Sequence, residues 1–163
     1  MMNIKKEYID KTRDYLKKLD EKLNSIDSIK LEIEDLRRQD KYQDLDISKA
    51  VFGMKSSYNG IDDLKIYAEE QIYIKETEIE YINKKYEEVE VFLSRLELNE
   101  KLIIELRYFK KKNDNTRYKL TDIAREINYS VATVKRIEKK VIEKIAVFKF
   151  GKEIKKECEL KVS

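Results

Sequence analysis

The sequence has no histidine, no proline and no tryptophan, and a single cysteine in 163 residues. Each absence excludes something. Without histidine there is no ordinary general base at neutral pH and no nucleophile–histidine pair. With one cysteine and no histidine the familiar zinc patterns are excluded, and Cys158 has no intramolecular disulfide partner. No glycine-rich phosphate loop is present. These gaps argue against an enzyme and against a bound metal or cofactor. The chain is also short of turn formers: three glycines and no proline leave few places where it can reverse. No run approaches the ~18 apolar residues of a membrane span. MMNIKKEYIDK has a basic start without an apolar core behind it, so it does not read as a secretory signal. The lone thiol fits an intracellular, cytoplasmic protein.

What is present is charge and helix-forming periodicity. Charged residues make up 42% and hydrophobic ones 41%, which together predict long helices with polar outer faces. The charge is unevenly placed. Residues 1–100 carry 18 Lys and Arg against 24 Asp and Glu, and residues 101–163 carry 18 against 9. A basic C-terminal part on a more acidic support points to a polyanionic partner.

The expected fold is all-α: a long, coiled-coil-like N-terminal helical hairpin followed by a C-terminal helix-turn-helix. Ile9, Leu16 and Leu23 share one heptad position, and Thr12, Leu19, Ile26 and Ile33 the other. A second helix over 61–97 carries Ile72, Ile79, Tyr86 and Leu93, then Ile82, Val89 and Leu96, with Lys75 as a polar exception. Residues 40–60 interrupt the periodicity and predict an irregular connection, into which Val51, Phe52 and Met54 bring apolar side chains that should pack back. Tyr67, Ile74 and Tyr81 make a further stripe beside the main one, wider than one partner helix can cover. The predicted domains are therefore 1–95, a hairpin and oligomerisation part; 96–150, the helix-turn-helix; and 151–163, a tail. Asn99 is the expected cap of a helix over 100–109, and Gly151 the expected end of the last helix.

The functional signal lies in LTDIAREINYSVATVKRIEKKVIEKI, residues 120–145. Thr121 is the expected cap of its first helix, with Ile123, Ala124 and Ile127 on the inner face. Asn128-Tyr129 can turn, because Asn tolerates the left-handed region. Ser130 can cap the next helix near Thr133. Val134, Ile137, Val141 and Ile145 then make a buried stripe. At about 100° per residue, Ala132, Arg136, Lys139 and Lys140 point away from it, flanked by Thr133 and Lys135. A helix of this kind can enter a major groove by its first turns. The base-facing candidates are Ala132, Thr133, Lys135, Arg136 and Lys139. The phosphate candidates are Ser130 and Lys140, together with Lys111, Lys112, Arg117 and Lys119 of the loop before it.

Leu106-Arg107-Tyr108, then Ile123-Ala124, then Ser130 to Lys135 (SVATVK), occur in the order found in region 4 of bacterial sigma-70-type factors, which this stretch resembles. The resemblance runs from about Leu96 to Phe148. It implies a promoter-reading helix-turn-helix whose second helix spans 131–148. The loop from Lys110 to Lys119 is longer than the family's, and residues 1–95 do not resemble the polymerase-binding region 2. The whole layout is similar to small phage-encoded transcriptional regulators of the ArpU/RinA-like group, in which VFGMKSS (51–57) would match a V-x-x-S-like segment. The expected partners are double-stranded DNA and a second copy bound through the hairpin. The alternatives are a phage small-terminase-like packaging protein and a sigma-like module docking on RNA polymerase.

Overall fold

The computed structural model describes residues 4–50 and 60–162, with side chains described outside 40–50, 60–62 and 162. It is all-α. The elements are α1 (Lys6–Ala50), α2 (Gly60–Leu93), α3 (Leu98–Ile104), which continues as a π-helical turn over Glu105–Phe109, α4 (Leu120–Ile127) and α5 (Val131–Val162). Among the described residues there is no strand, only an isolated bridge between Lys111 and Arg117. No described helix is long and apolar enough to cross a membrane. The irregular connection expected over 40–60 is helical as far as Ala50. Its apolar residues Val51, Phe52 and Met54, and the VFGMKSS segment, lie outside the described residues.

The chain divides into two compact units, Glu21–Tyr86 and Met1–Asp20 with Glu87–Ser163. The first is the hairpin. Ile29 and Ile33 of α1 and Ile82 of α2 form its buried core, with Leu23, Ile26, Ile72 and Ile79 packed around them. The expected heptad positions therefore do face each other. Ion pairs from Glu32 to Lys75 and from Arg37 to Glu76 (2.7 Å) flank the core. Only nine residues separate α1 from α2, too few to run back along a 34-residue helix of about 50 Å, so two helices sharing one core are antiparallel. Lys75, the polar exception in the α2 stripe, reaches out of the core to Glu32 on the facing helix. Exposed pairs of this kind contribute at most about 1 kcal/mol each; burial of the isoleucines supplies most of the hairpin's stability.

The second unit differs from the domain drawn at residue 96. Tyr8, Ile9, Thr12, Leu16 and Leu19 of α1 are buried here. Thr12 tolerates complete burial because its hydroxyl donates to the Tyr8 carbonyl at 2.7 Å. Tyr8 packs with Ala146 and Ile154 of α5, against Ile4 and Phe150. The C-terminal end departs only in part from expectation. The helix breaks at Phe150 (φ −111°, ψ 16°), next to the end expected at Gly151, and a further helical segment runs on to Val162. The tail is thus helical, and burial of Ile154 against α1 holds it there.

The α1–α5 contact is closed by Glu157, which accepts hydrogen bonds from Lys5 (2.6 Å) and Tyr8 (2.9 Å). The Lys5 bond, then the Tyr8 bond, hold the Glu157 carboxyl below its ordinary range, and the Tyr8 bond pushes the Tyr8 phenol up to about 12. A depressed carboxylate stabilises the fold above its unfolded value, near pH 4.3, and that contribution is lost as pH falls through the lower folded value. The thermal midpoint of Glu157→Gln should therefore lie below that of the parent at pH 6, and the gap should close by about pH 3. A gap that stays constant over this range would show that the ionised pair contributes nothing.

Candidate nucleic-acid interface

The helix-turn-helix is built on one small core. Ile103 and Leu106 from the first segment, Ile123 and Ala124 from α4 and Val134 from α5 are buried together, with Leu102, Tyr118, Leu120, Ile127 and Ile137 around them. Ala124 is small where α4 and α5 approach. The first segment does not start as expected. Glu97 occupies the cap position, while Asn99 lies inside α3 and donates its side-chain N–H to the Tyr129 hydroxyl at 2.6 Å. The segment ends in a π turn, in which the Lys110 N–H donates to the Glu105 carbonyl at 2.8 Å. The extra residue in that turn shifts the angular position of its last side chains, so Tyr108 is buried and Phe109 only half-buried.

Residues 110–119 fold into a tight loop. Lys112 and Thr116 share a backbone bond of 2.9 Å, Asn115 takes φ 67°, and Asp114 accepts from the Thr116 N–H and hydroxyl. Three contacts fix its position. Arg107 donates to the Tyr118 carbonyl at 3.3 Å, Arg117 pairs with Asp20 of α1 at 3.0 Å, and Lys112 pairs with Asp122 of α4 at 2.7 Å. The N-cap position of α4 falls at Lys119, not Thr121, and Asp122 accepts from the Lys119 N–H at 2.9 Å, the return bond of a capping box. The Lys112 bond, then the Lys119 bond, hold the Asp122 carboxyl below its ordinary range. Of the four loop cations singled out from the sequence, Arg117 and Lys112 thus already hold carboxylates, and Lys111 and Lys119 are exposed.

The turn between α4 and α5 matches its sequence. Asn128 sits in the left-handed region (φ 59°, ψ 43°), and the Tyr129 N–H donates to the Ala124 carbonyl at 3.0 Å. Ser130 Oγ accepts from the Thr133 N–H at 3.2 Å and lies 2.7 Å from the Thr133 hydroxyl. Ser130 is thereby engaged as the cap of α5. Beyond it, Val134, Val141 and Ile145 are buried and Ile137 is half-buried, whereas Ala132, Lys135, Arg136, Lys139 and Lys140 are exposed and Thr133 is half-buried. Ala132, Lys135, Arg136 and Lys139 follow one another at spacings of three, one and three, so they share one face of the helix.

One carboxylate interrupts this basic run, and the sequence reading did not single it out. Glu138 is turned inward, with 5% of its side chain exposed. Arg13 of α1 grips it with one edge of the guanidinium, Nε donating at 3.2 Å and Nη2 at 2.8 Å, and the Tyr108 hydroxyl donates to it at 2.6 Å. Burial and the neighbouring Glu138 charge push the Tyr108 phenol far above its ordinary value, and the hydrogen bond to Glu138 raises the Arg13 guanidinium. The inward turn leaves four exposed cations within six residues, Lys135, Arg136, Lys139 and Lys140. None of them forms an ion pair among the described residues. The arrangement can bind a polyanion. Among the described residues no group of acidic and cysteine side chains could hold a metal ion.

Residues 92–146 match the family model of sigma-70, region 4, a DNA-binding helix-turn-helix domain. The matched stretch is 55 of the 163 residues and takes in the core, the loop, the turn and the basic face of α5. No curated protein and no solved structure matches the chain.

Proposed function

We propose that the chain is a sequence-specific transcription regulator that reads the major groove of double-stranded DNA with helix 131–148. The observation that carries this reading is the exposed, unpaired cationic face of α5, left uncancelled because Glu138 is turned away from it. Ala132 and Thr133 are short enough to let the helix approach base edges and can touch a thymine methyl. Lys135 and Arg136 reach guanine acceptors, and Lys139 lies one turn further along the same face. Lys140, Lys111 and Lys119, with the free N–H groups beside Ser130, are the phosphate ligands. Arg117 and Lys112 would join them only by exchanging Asp20 and Asp122 for phosphate. A helical hairpin before a sigma-like reading domain supports a phage regulator of the ArpU/RinA-like kind acting in the cytoplasm. The hairpin supplies the surface for a homodimer, and a two-fold dimer suits a palindromic operator.

The test is selection of duplexes from a random pool, followed by titration of the enriched sequence at several salt concentrations. A consensus should emerge, and affinity should fall by at least about tenfold between 50 and 200 mM salt, as release of counterions from several phosphates requires. Failure to bind any duplex at low salt, with capture of RNA polymerase instead, would replace DNA reading by docking on the polymerase.

A further inference from the structure

The outer face of α2 in the hairpin unit carries more apolar surface than an isolated hairpin needs. Tyr67, Tyr73 and Tyr81 are 60%, 71% and 54% exposed, and Ile66 and Ile74 are 52% and 55% exposed. They lie about 150° round the helix from Ala68, Ile72, Ile79 and Ile82, which turn toward α1 or are buried. The facing helix of the same hairpin therefore leaves most of them bare; only Tyr67 also borders α1, lining a hollow with Leu36 and Gln39. Their exposed area is on the order of 500 Å² per copy, so two copies would bury about 1,000 Å², the size at which specific interfaces begin.

Down the middle of this face runs a polar line with a seven-residue period: Glu70, Thr77 and Lys84. Glu70 and Lys84 are both exposed and stand at equal distances in sequence on either side of Thr77. That symmetry selects the partner and its direction. If α2 met a parallel copy of itself in register, Glu70 would face Glu70 and Lys84 would face Lys84. If it met an antiparallel copy across a two-fold axis at Thr77, each Glu70 would face the other copy's Lys84, and each Tyr73 the other copy's Tyr81. The charges oppose the first arrangement and stabilise the second.

We infer that the outer face of α2 is a homodimer interface, in which two copies pair antiparallel about a two-fold axis at Thr77. This rests on the homodimer proposed above and gives it a surface, a direction and a register. The tyrosines supply rigid contact area, and the two Glu70–Lys84 pairs set the register rather than most of the affinity.

The test is sedimentation of the full chain without DNA over a range of concentrations. The parent protein should be a dimer. Glu70→Lys and Lys84→Glu should each weaken self-association by about tenfold or more, since two attractive pairs become two repulsive ones. An equimolar mixture of the two variants should dimerise again. The double exchange Glu70→Lys/Lys84→Glu in one chain should also dimerise, which an in-register parallel pairing would not favour over either single variant. A monomeric parent, single variants that associate like the parent, or a double exchange that stays monomeric would each overturn the inference. Dimerisation is read without DNA, so a protein that fails to bind DNA and still shows this pattern separates the two proposals.

Discussion

Replacing Arg136 and Lys139 together with alanine is expected to abolish binding to the selected duplex and to leave the fold intact. Both side chains are exposed, and neither forms an ion pair among the described residues, so their removal takes away no internal contact. Alanine is also the better helix former, which favours α5 slightly. On DNA the two losses differ in kind. Arg136 in contact with a guanine would contribute about 1–3 kcal/mol and discriminate at one base pair, whereas a phosphate contact contributes nearly uniformly across sequences. The double variant should lose about two orders of magnitude in affinity or more. The single variants should divide the effect. Arg136→Ala should relax the consensus at one position. Lys139→Ala should weaken all duplexes alike and lower the salt slope by about one if it reaches a phosphate, or relax a second position if it reaches a base. Thermal melting of both should match that of the parent. Unchanged affinity in a gel-shift titration would remove this face from the interface.

Much of the helix-turn-helix was legible because its determinants are local. The left-handed Asn128, the Ser130 cap and the inner stripe of α5 each depend on residues within about a turn of one another. The hairpin was legible for a similar reason, since heptad spacing alone decides which side of each helix is apolar. The misses came where distant contacts overrode local preference. Gly151 is a good helix terminator and the helix does break beside it at Phe150, yet helical backbone resumes because Ile154 and Glu157 have partners in α1. The stripe of α1 is continuous past Asp20, so nothing in its period marks where the helix passes from one unit to the other. Thr121 and Asn99 are both capable caps, but the capping depended on which backbone groups were free. Asp122 reached the Lys119 N–H, and Asn99 was drawn to Tyr129. The DNA-facing set was drawn from the angular position of each residue, and those residues are exposed or half-buried as that requires. Their contact with bases remains a proposal for the alanine variants to decide.

Glu138 is the clearest case of a signal present but unread, and it carries the other large expected effect. It lies four residues after Val134 and three before Val141, on the buried side of the same stripe. A carboxylate there requires a buried partner, and that partner, Arg13, is 125 residues away. Glu138→Ala would leave the Tyr108 hydroxyl, itself buried, without its acceptor and the Arg13 guanidinium without its counter-ion. Breaking a fully buried pair costs about 3–5 kcal/mol, and the partial exposure of Arg13 reduces this to about 2–3 kcal/mol here. The thermal midpoint should fall by on the order of 10 °C. Tyr108→Phe, which removes one donor and leaves the ion pair, should cost about 1 kcal/mol. Replacing both charges by apolar groups, Arg13→Met with Glu138→Leu, should recover most of the loss, because no uncompensated charge then remains inside. DNA affinity should be nearly unchanged in the recovered double variant, since the outward face of α5 is untouched. The same reasoning bears on the domain boundary. A fragment of residues 96–150 retains Glu138 and Tyr108 but lacks Arg13, and it also lacks the Tyr8 and Ile154 that pack on Ala146. It should melt without a cooperative transition, and a fragment that folds as well as the full chain would show that α1 is dispensable to the helix-turn-helix. If α1 is required, the sigma-like unit is a helix-turn-helix whose basic helix is held from behind by the first helix of the chain.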